Sequence, residues 1–99
     1  MQTIFENGKY SQTTVYFDGW QLPEKERKLI IDFAEADSGC NMFSEHIYDV
    51  GRCIDVNNAI EYGCDDEEIE EYSELNLAEV KKILEDAQNA GVDTITFYR

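Results

Sequence analysis

The chain has 99 residues, of which 42% are hydrophobic and 12% aromatic, enough to bury one core and too few for two. Eight Lys and Arg stand against 22 Asp and Glu, a formal net charge of −14. That excess disfavours nucleic acid and anionic membrane as direct partners, and favours basic proteins or cations.

No apolar run approaches the ~20 residues that a membrane helix needs. The N-terminal MQTIFENGKYS lacks the basic and apolar regions of a secretory signal. Three cysteines, Cys40, Cys53 and Cys64, with no close pair, fit a reducing compartment. The expectation is one domain, residues 1–99, in the cytoplasm.

In chain order, the first seventeen residues read as a β-hairpin. Asn7-Gly8 is a strong hairpin signal, because both residues tolerate the positive φ of a type I′ turn. A turn there sets Glu6 opposite Lys9 and Phe5 opposite Tyr10. The second arm, YSQTTVYF, puts Val15 and Phe17 on one face, Thr14 and Tyr16 on the other. Asp18-Gly19 ends the strand, and Pro23 suits the first position of a helix. Leu22, Leu29, Ile30, Phe33 and Ala34 then fall on one helical stripe, with Gly39 as its stop. Trp20, in the turn between strand and helix, is expected in the core.

Residues 40 to 62 admit two readings. EHIYDVGRCIDV is either two short strands around Val50-Gly51 or one strand with a bulge. DVNNAIEYG fits a short helix with Asp55 as N-cap and Gly63 as stop. The last quarter is more sharply marked. Asn76 with Glu79 three residues on resembles a capping box. Leu77, Val80, Ile83, Leu84 and Ala87 make one apolar stripe, Gly91 ends the helix, and DTITFYR closes as a strand with Ile95 and Phe97 on one face. The order implies an α+β fold: a small, mostly antiparallel sheet, built from the N-terminal hairpin and the C-terminal strand, packed on two or three helices.

The charge is localised. Between Cys53 and Val80 there are ten carboxylates and no Lys or Arg, so −10 of the −14 falls in that segment and −4 in the other 71 residues. Its centre is Asp65, Asp66, Glu67, Glu68, Glu70, Glu71 and Glu74, interrupted by Ile69 and Tyr72. As a helix these seven carboxylates would span roughly 15 Å, one per ~2 Å, close to the one charge per ~1.7 Å of duplex DNA. The same helix would set Asp66 against Glu70, Glu67 against Glu71 and Glu70 against Glu74, each repulsive by a few tenths of a kcal/mol. The run is therefore either a solvated loop or a surface that a basic partner uses, with Ile69 and Tyr72 as apolar anchors.

Other constellations are weak. His46 with the three cysteines makes four zinc-type ligands, but without the C-x₂-C or H-x₃-H spacing of a structural site. DDEEIEEYSE lacks the glycine and alternation of a calcium loop. The six glycines are isolated, so none cradles phosphate. No nucleophile stands at a telling spacing from His46. No catalytic residue, metal or cofactor is expected.

In size and charge, though in no residue motif, the chain resembles small acidic inhibitors that phages and plasmids encode against restriction or CRISPR enzymes. The leading expectation is an inhibitor, not an enzyme. Asp65, Asp66, Glu67, Glu68, Glu70, Glu71, Tyr72 and Glu74 would block a basic site on a partner, a nuclease or other DNA-binding protein, without touching nucleic acid or membrane. The alternatives are a ligand-binding module or enzyme with a site near His46, and an accessory domain of a larger assembly.

Overall fold

The structure, a computed structural model, describes residues 5, 8–11, 13–37, 43–47, 51–64 and 75–98. Five strands form one sheet: β1 (Lys9–Ser11), β2 (Thr14–Asp18), β3 (Ser44–Ile47), β4 (Gly51–Asp55) and β5 (Thr94–Tyr98). Their order is β1-β2-β5-β4-β3. Only the β2–β5 pair is parallel; the other three pairs are antiparallel. The closing strand therefore lies beside the hairpin, in the middle of the sheet. With the helices this makes the expected α+β fold.

The described residues also form three helices: α1 (Glu24–Ala36), α2 (Val56–Asn58, continued by a π turn over Ala59–Gly63) and α3 (Leu77–Asn89). The stripes read from the sequence face the core, Leu29 being only partly buried. Ile30, Phe33 and Ala34 of α1 and Val80, Leu84 and Ala87 of α3 are completely inaccessible. They meet Phe17, Ile54 and Ile95 from the sheet. Phe33 stacks on Phe43 with ring centroids 4.5 Å apart.

Local chemistry sets the helix ends. The Asn76 side chain accepts from the Glu79 N–H at 3.3 Å, and Asp55 accepts from the Asn58 N–H at 3.1 Å, each satisfying an otherwise orphan donor. At the end of α3, Gly91 N–H donates to the Gln88 carbonyl and Val92 N–H to the Ala87 carbonyl. That is a Schellman motif, with Gly91 at φ +82° and Val92 buried behind it. Pro23 takes the N-cap of α1 and not its first turn. The helix ends at Ala36 with Asp37 as its cap; the expected stop, Gly39, lies outside the described residues.

Two expectations need correction. Residues 10 to 17 do not form one strand: Ser11 pairs with Thr14, so the chain reverses between them. The reason is tertiary. Val15 donates its N–H to the Asp93 carboxylate at 2.8 Å and accepts the Asp93 N–H at 2.9 Å, which begins β2 at the mouth of β5. Glu6 and Asn7 lie outside the described residues. The second correction is Trp20, which is 47% exposed. A 3-10 turn over Gly19–Gln21 carries the indole to the rim, where Nε1 donates to the Tyr98 carbonyl and the ring packs edge-on against Phe97.

The ambiguous middle resolves as two strands, with His46 opposite Arg52. The end of α1 is tied to them by a buried polar node. Asp37 Oδ2 accepts the N–H groups of Phe43 (3.1 Å) and Ser44 (2.9 Å), and Ser44 Oγ lies 3.1 Å from the same oxygen. Arg52 Nη1 donates to the Ala34 carbonyl at 3.0 Å, a cation at the negative end of the helix. Among the described residues no helix is long and apolar enough to cross a membrane.

Candidate functional site

The eight residues singled out by charge, Asp65, Asp66, Glu67, Glu68, Glu70, Glu71, Tyr72 and Glu74, lie outside the described residues. What is described is the base they spring from. Cys64, immediately before the run, is 5% exposed, and Leu77, just after it, is 6% exposed; both belong to the core. Leu75 packs against that core as well. The run therefore starts and finishes on the helix layer. Glu61 and Tyr62 on one flank, and Asn76 and Glu79 on the other, face solvent. Farther along α3, Glu85 and Asp86 are exposed too, but Lys81 and Lys82 stand between them and Glu79. The purely acidic stretch thus stops at the first turn of α3.

The sheet supplies a second surface. The helices among the described residues bury their apolar side chains against one face, the one that carries Phe17, Ile54, Ile95 and Phe97. By strand alternation the opposite face carries the intervening residues. One rung runs Lys9, Tyr16, Thr94, Asp55, and the next runs Asp18, Thr96, Cys53, Glu45. Tyr98, opposite Gly51, begins the third. Tyr16 and Tyr98 remain 37% and 40% exposed, and Asp18, Glu45 and Asp55 are exposed around them. Thr96, between them, is buried, its hydroxyl donating to the Phe17 carbonyl at 3.3 Å.

The electrostatics of this face are those of a negatively charged surface. Partial burial pushes the Cys53 thiol above its ordinary value, and the Glu45 and Asp55 carboxylates add to the shift, against a hydrogen bond with the Glu45 backbone. Burial likewise raises the Tyr98 phenol, with contributions from Cys53, Tyr16 and Glu45. Both groups are neutral at physiological pH, so Cys53 is a poor nucleophile. As pH rises, the unfolded chain ionises first. The stability these two groups contribute is complete below their ordinary values and is lost as pH climbs through the raised ones. Iodoacetamide is accordingly expected to alkylate Cys53 more slowly in the folded protein than in urea, with the rate still climbing above the usual thiol range of about 8.5. Peptide mass mapping across a pH series reads this directly. Equal rates in the two states would contradict it.

The zinc-type quartet does not assemble. Cys53 is on the open face and Cys64 in the core on the other side of the sheet, and Cys40 lies outside the described residues. Among the described residues no group of three or more His, Cys, Asp or Glu side chains is placed to hold a metal ion.

The open face was within reach of sequence reasoning. Alternation in TVYFD already put Tyr16 away from Phe17; the missing information was that the described helices would all pack on one side. Comparison with known proteins finds no matching family model, no matching curated protein and no matching solved structure.

Proposed function

We propose that this protein is a binding inhibitor. It occupies a basic, nucleic-acid-binding site on a partner protein, with Asp65, Asp66, Glu67, Glu68, Glu70, Glu71 and Glu74 meeting the Lys and Arg that otherwise meet phosphates, and Tyr72 serving as an aromatic anchor. The observation that carries this reading is the segregation of charge: ten carboxylates and no cation from Cys53 to Val80. Like charges so crowded offer no intrinsic stabilisation to the fold; a cationic partner supplies what the chain does not. The two core-anchored flanks, Cys64 and Leu77, support it further, because a segment held at both ends loses less freedom on binding than a free tail. The partner class we infer is a nuclease or other DNA-binding protein, as for the phage and plasmid inhibitors of similar size and charge.

The experiment is affinity capture from a bacterial lysate. The native protein is compared with a variant carrying Glu67→Gln, Glu68→Gln, Glu70→Gln and Glu71→Gln, at low salt and at ~0.5 M, where exposed charges are largely screened. The native form is expected to retain a DNA-binding protein at low salt. High salt and the Gln variant are both expected to release it. Retention of the same proteins by both forms would mean that the carboxylates are a solvated face and that binding lies elsewhere.

A further inference from the structure

Among the described residues no helix lies over the open sheet face, which presents two half-exposed tyrosines in a field of carboxylates. Tyr16 and Tyr98 lie on β2 and β5, with Asp18 and Thr96 on the rung between them. Glu45 and Asp55 stand exposed on the β4 side. The one cation on these rungs among the described residues is Lys9, on the edge strand opposite Tyr16.

We infer that this face is a second docking surface, and that its occupant is an arginine-bearing segment of a basic partner protein. Three features select that occupant. A second copy of the chain would bring another net −14 against the same carboxylates, and like charges set face to face are repulsive. Nucleic acid and anionic membrane are repelled for the same reason. A guanidinium fits what is there. It lies flat on a tyrosine ring, attracted by the ring's negative face, while its fork of N–H donors pairs with a neighbouring carboxylate. Tyr16 beside Asp18 on β2 offers that combination, and Glu45 serves the Tyr98 side of the face from two strands away, across Gly51 and Cys53 of β4. Lysine offers only the point charge, so arginine is preferred.

The face is rigid enough to act as a preformed platform. Its central strand, β5, is hydrogen-bonded on both sides. The Trp20 indole is fixed to the Tyr98 carbonyl at the end of that strand. The partner therefore orders mainly its own segment. This inference shares with the proposed function the premise of a basic protein partner, but it assigns the contact to different residues, on the opposite side of the sheet from the core that anchors the acidic run.

The test is a titration of the ¹⁵N-labelled full chain with a synthetic octa-arginine peptide at low salt, followed by amide chemical shifts. Shifts at Tyr16, Asp18, Glu45, Cys53 and Tyr98 are expected, with weaker ones from octa-lysine. Tyr98→Thr and Glu45→Gln are made separately. Both side chains are exposed and both replacements suit a strand, and the unperturbed spectrum checks the fold of each. Each is expected to weaken the sheet-face binding by about fivefold or less, while leaving any shifts at Glu61 and Glu79 in place. Shifts confined to residues 61–79, or sheet-face shifts indifferent to both variants, overturn the sheet-face assignment and leave the acidic-run reading standing. No shifts anywhere overturn both.

Discussion

Replacing Asp37 with alanine is expected to lower stability by about 3–5 kcal/mol. Asp37 is 2% exposed. One of its carboxylate oxygens receives the N–H groups of Phe43 and Ser44 and lies beside the Ser44 hydroxyl. Removing the carboxylate leaves these donors buried without that acceptor, and each unsatisfied buried donor costs about 1–3 kcal/mol. The same node sets the end of α1 against the start of β3, so the loss extends to the packing of Phe33 on Phe43. A domain of this size gains about 5–15 kcal/mol in all from folding. The substitution therefore removes a large part of it, and the midpoint of thermal unfolding should fall by more than 10 °C, at roughly 4–8 °C per kcal/mol. Asp37→Asn keeps one acceptor oxygen and should lose about half as much. Urea unfolding of the three forms gives the comparison. An alanine variant as stable as the native chain would remove this node from the account of the fold.

Gly51→Ala is expected to be comparably damaging, for a different reason. Gly51 opens β4 at φ +133°, a conformation that side chains rarely adopt. A Cβ there would sit 2.3 Å from the Phe97 carbonyl oxygen and 2.9 Å from the Tyr98 Cα. Both are backbone atoms of the central strand and cannot turn aside. Relief requires β4 to move away from β5, breaking pairing across the middle of the sheet. The expected loss is about 3 kcal/mol or more. Gly91 provides the control: its φ is +82°, yet nothing lies within 4 Å of a Cβ built on it. Gly91→Ala should therefore carry only the conformational term, about 1–2 kcal/mol. Equal losses at the two glycines would show that close approach of the strands is not what Gly51 serves.

The elements legible in the sequence are those whose signals are local. Asn76 and Asp55 cap the helices they precede because a side-chain oxygen needs only an N–H three residues on. The stripes of α1 and α3 are buried because 3.6-residue periodicity leaves one apolar face and the domain has one core. Non-local decisions escaped. YSQTTVYF reads as one strand in isolation, but pairing of Val15 with Asp93, 78 residues away, starts β2 at Thr14. Trp20 is apolar enough for the core, yet a carbonyl at the end of β5 takes its indole N–H at the rim. The acidic run is plain in the sequence because charge needs no geometry to be counted. Alternation put Tyr16 away from Phe17, but the open sheet face itself exists only because the described helices all choose the same side.

Competition measures the central claim most directly. A short fluorescent DNA duplex is bound to the protein captured from the lysate, and this protein is titrated in, native or with the four Glu→Gln changes at 67, 68, 70 and 71. The native form is expected to displace the duplex completely, with a midpoint that rises steeply as salt increases, and the Gln form to displace it only at much higher concentration. A stable ternary complex of partner, duplex and native protein would contradict the claim, because it would place this protein outside the site that holds the nucleic acid.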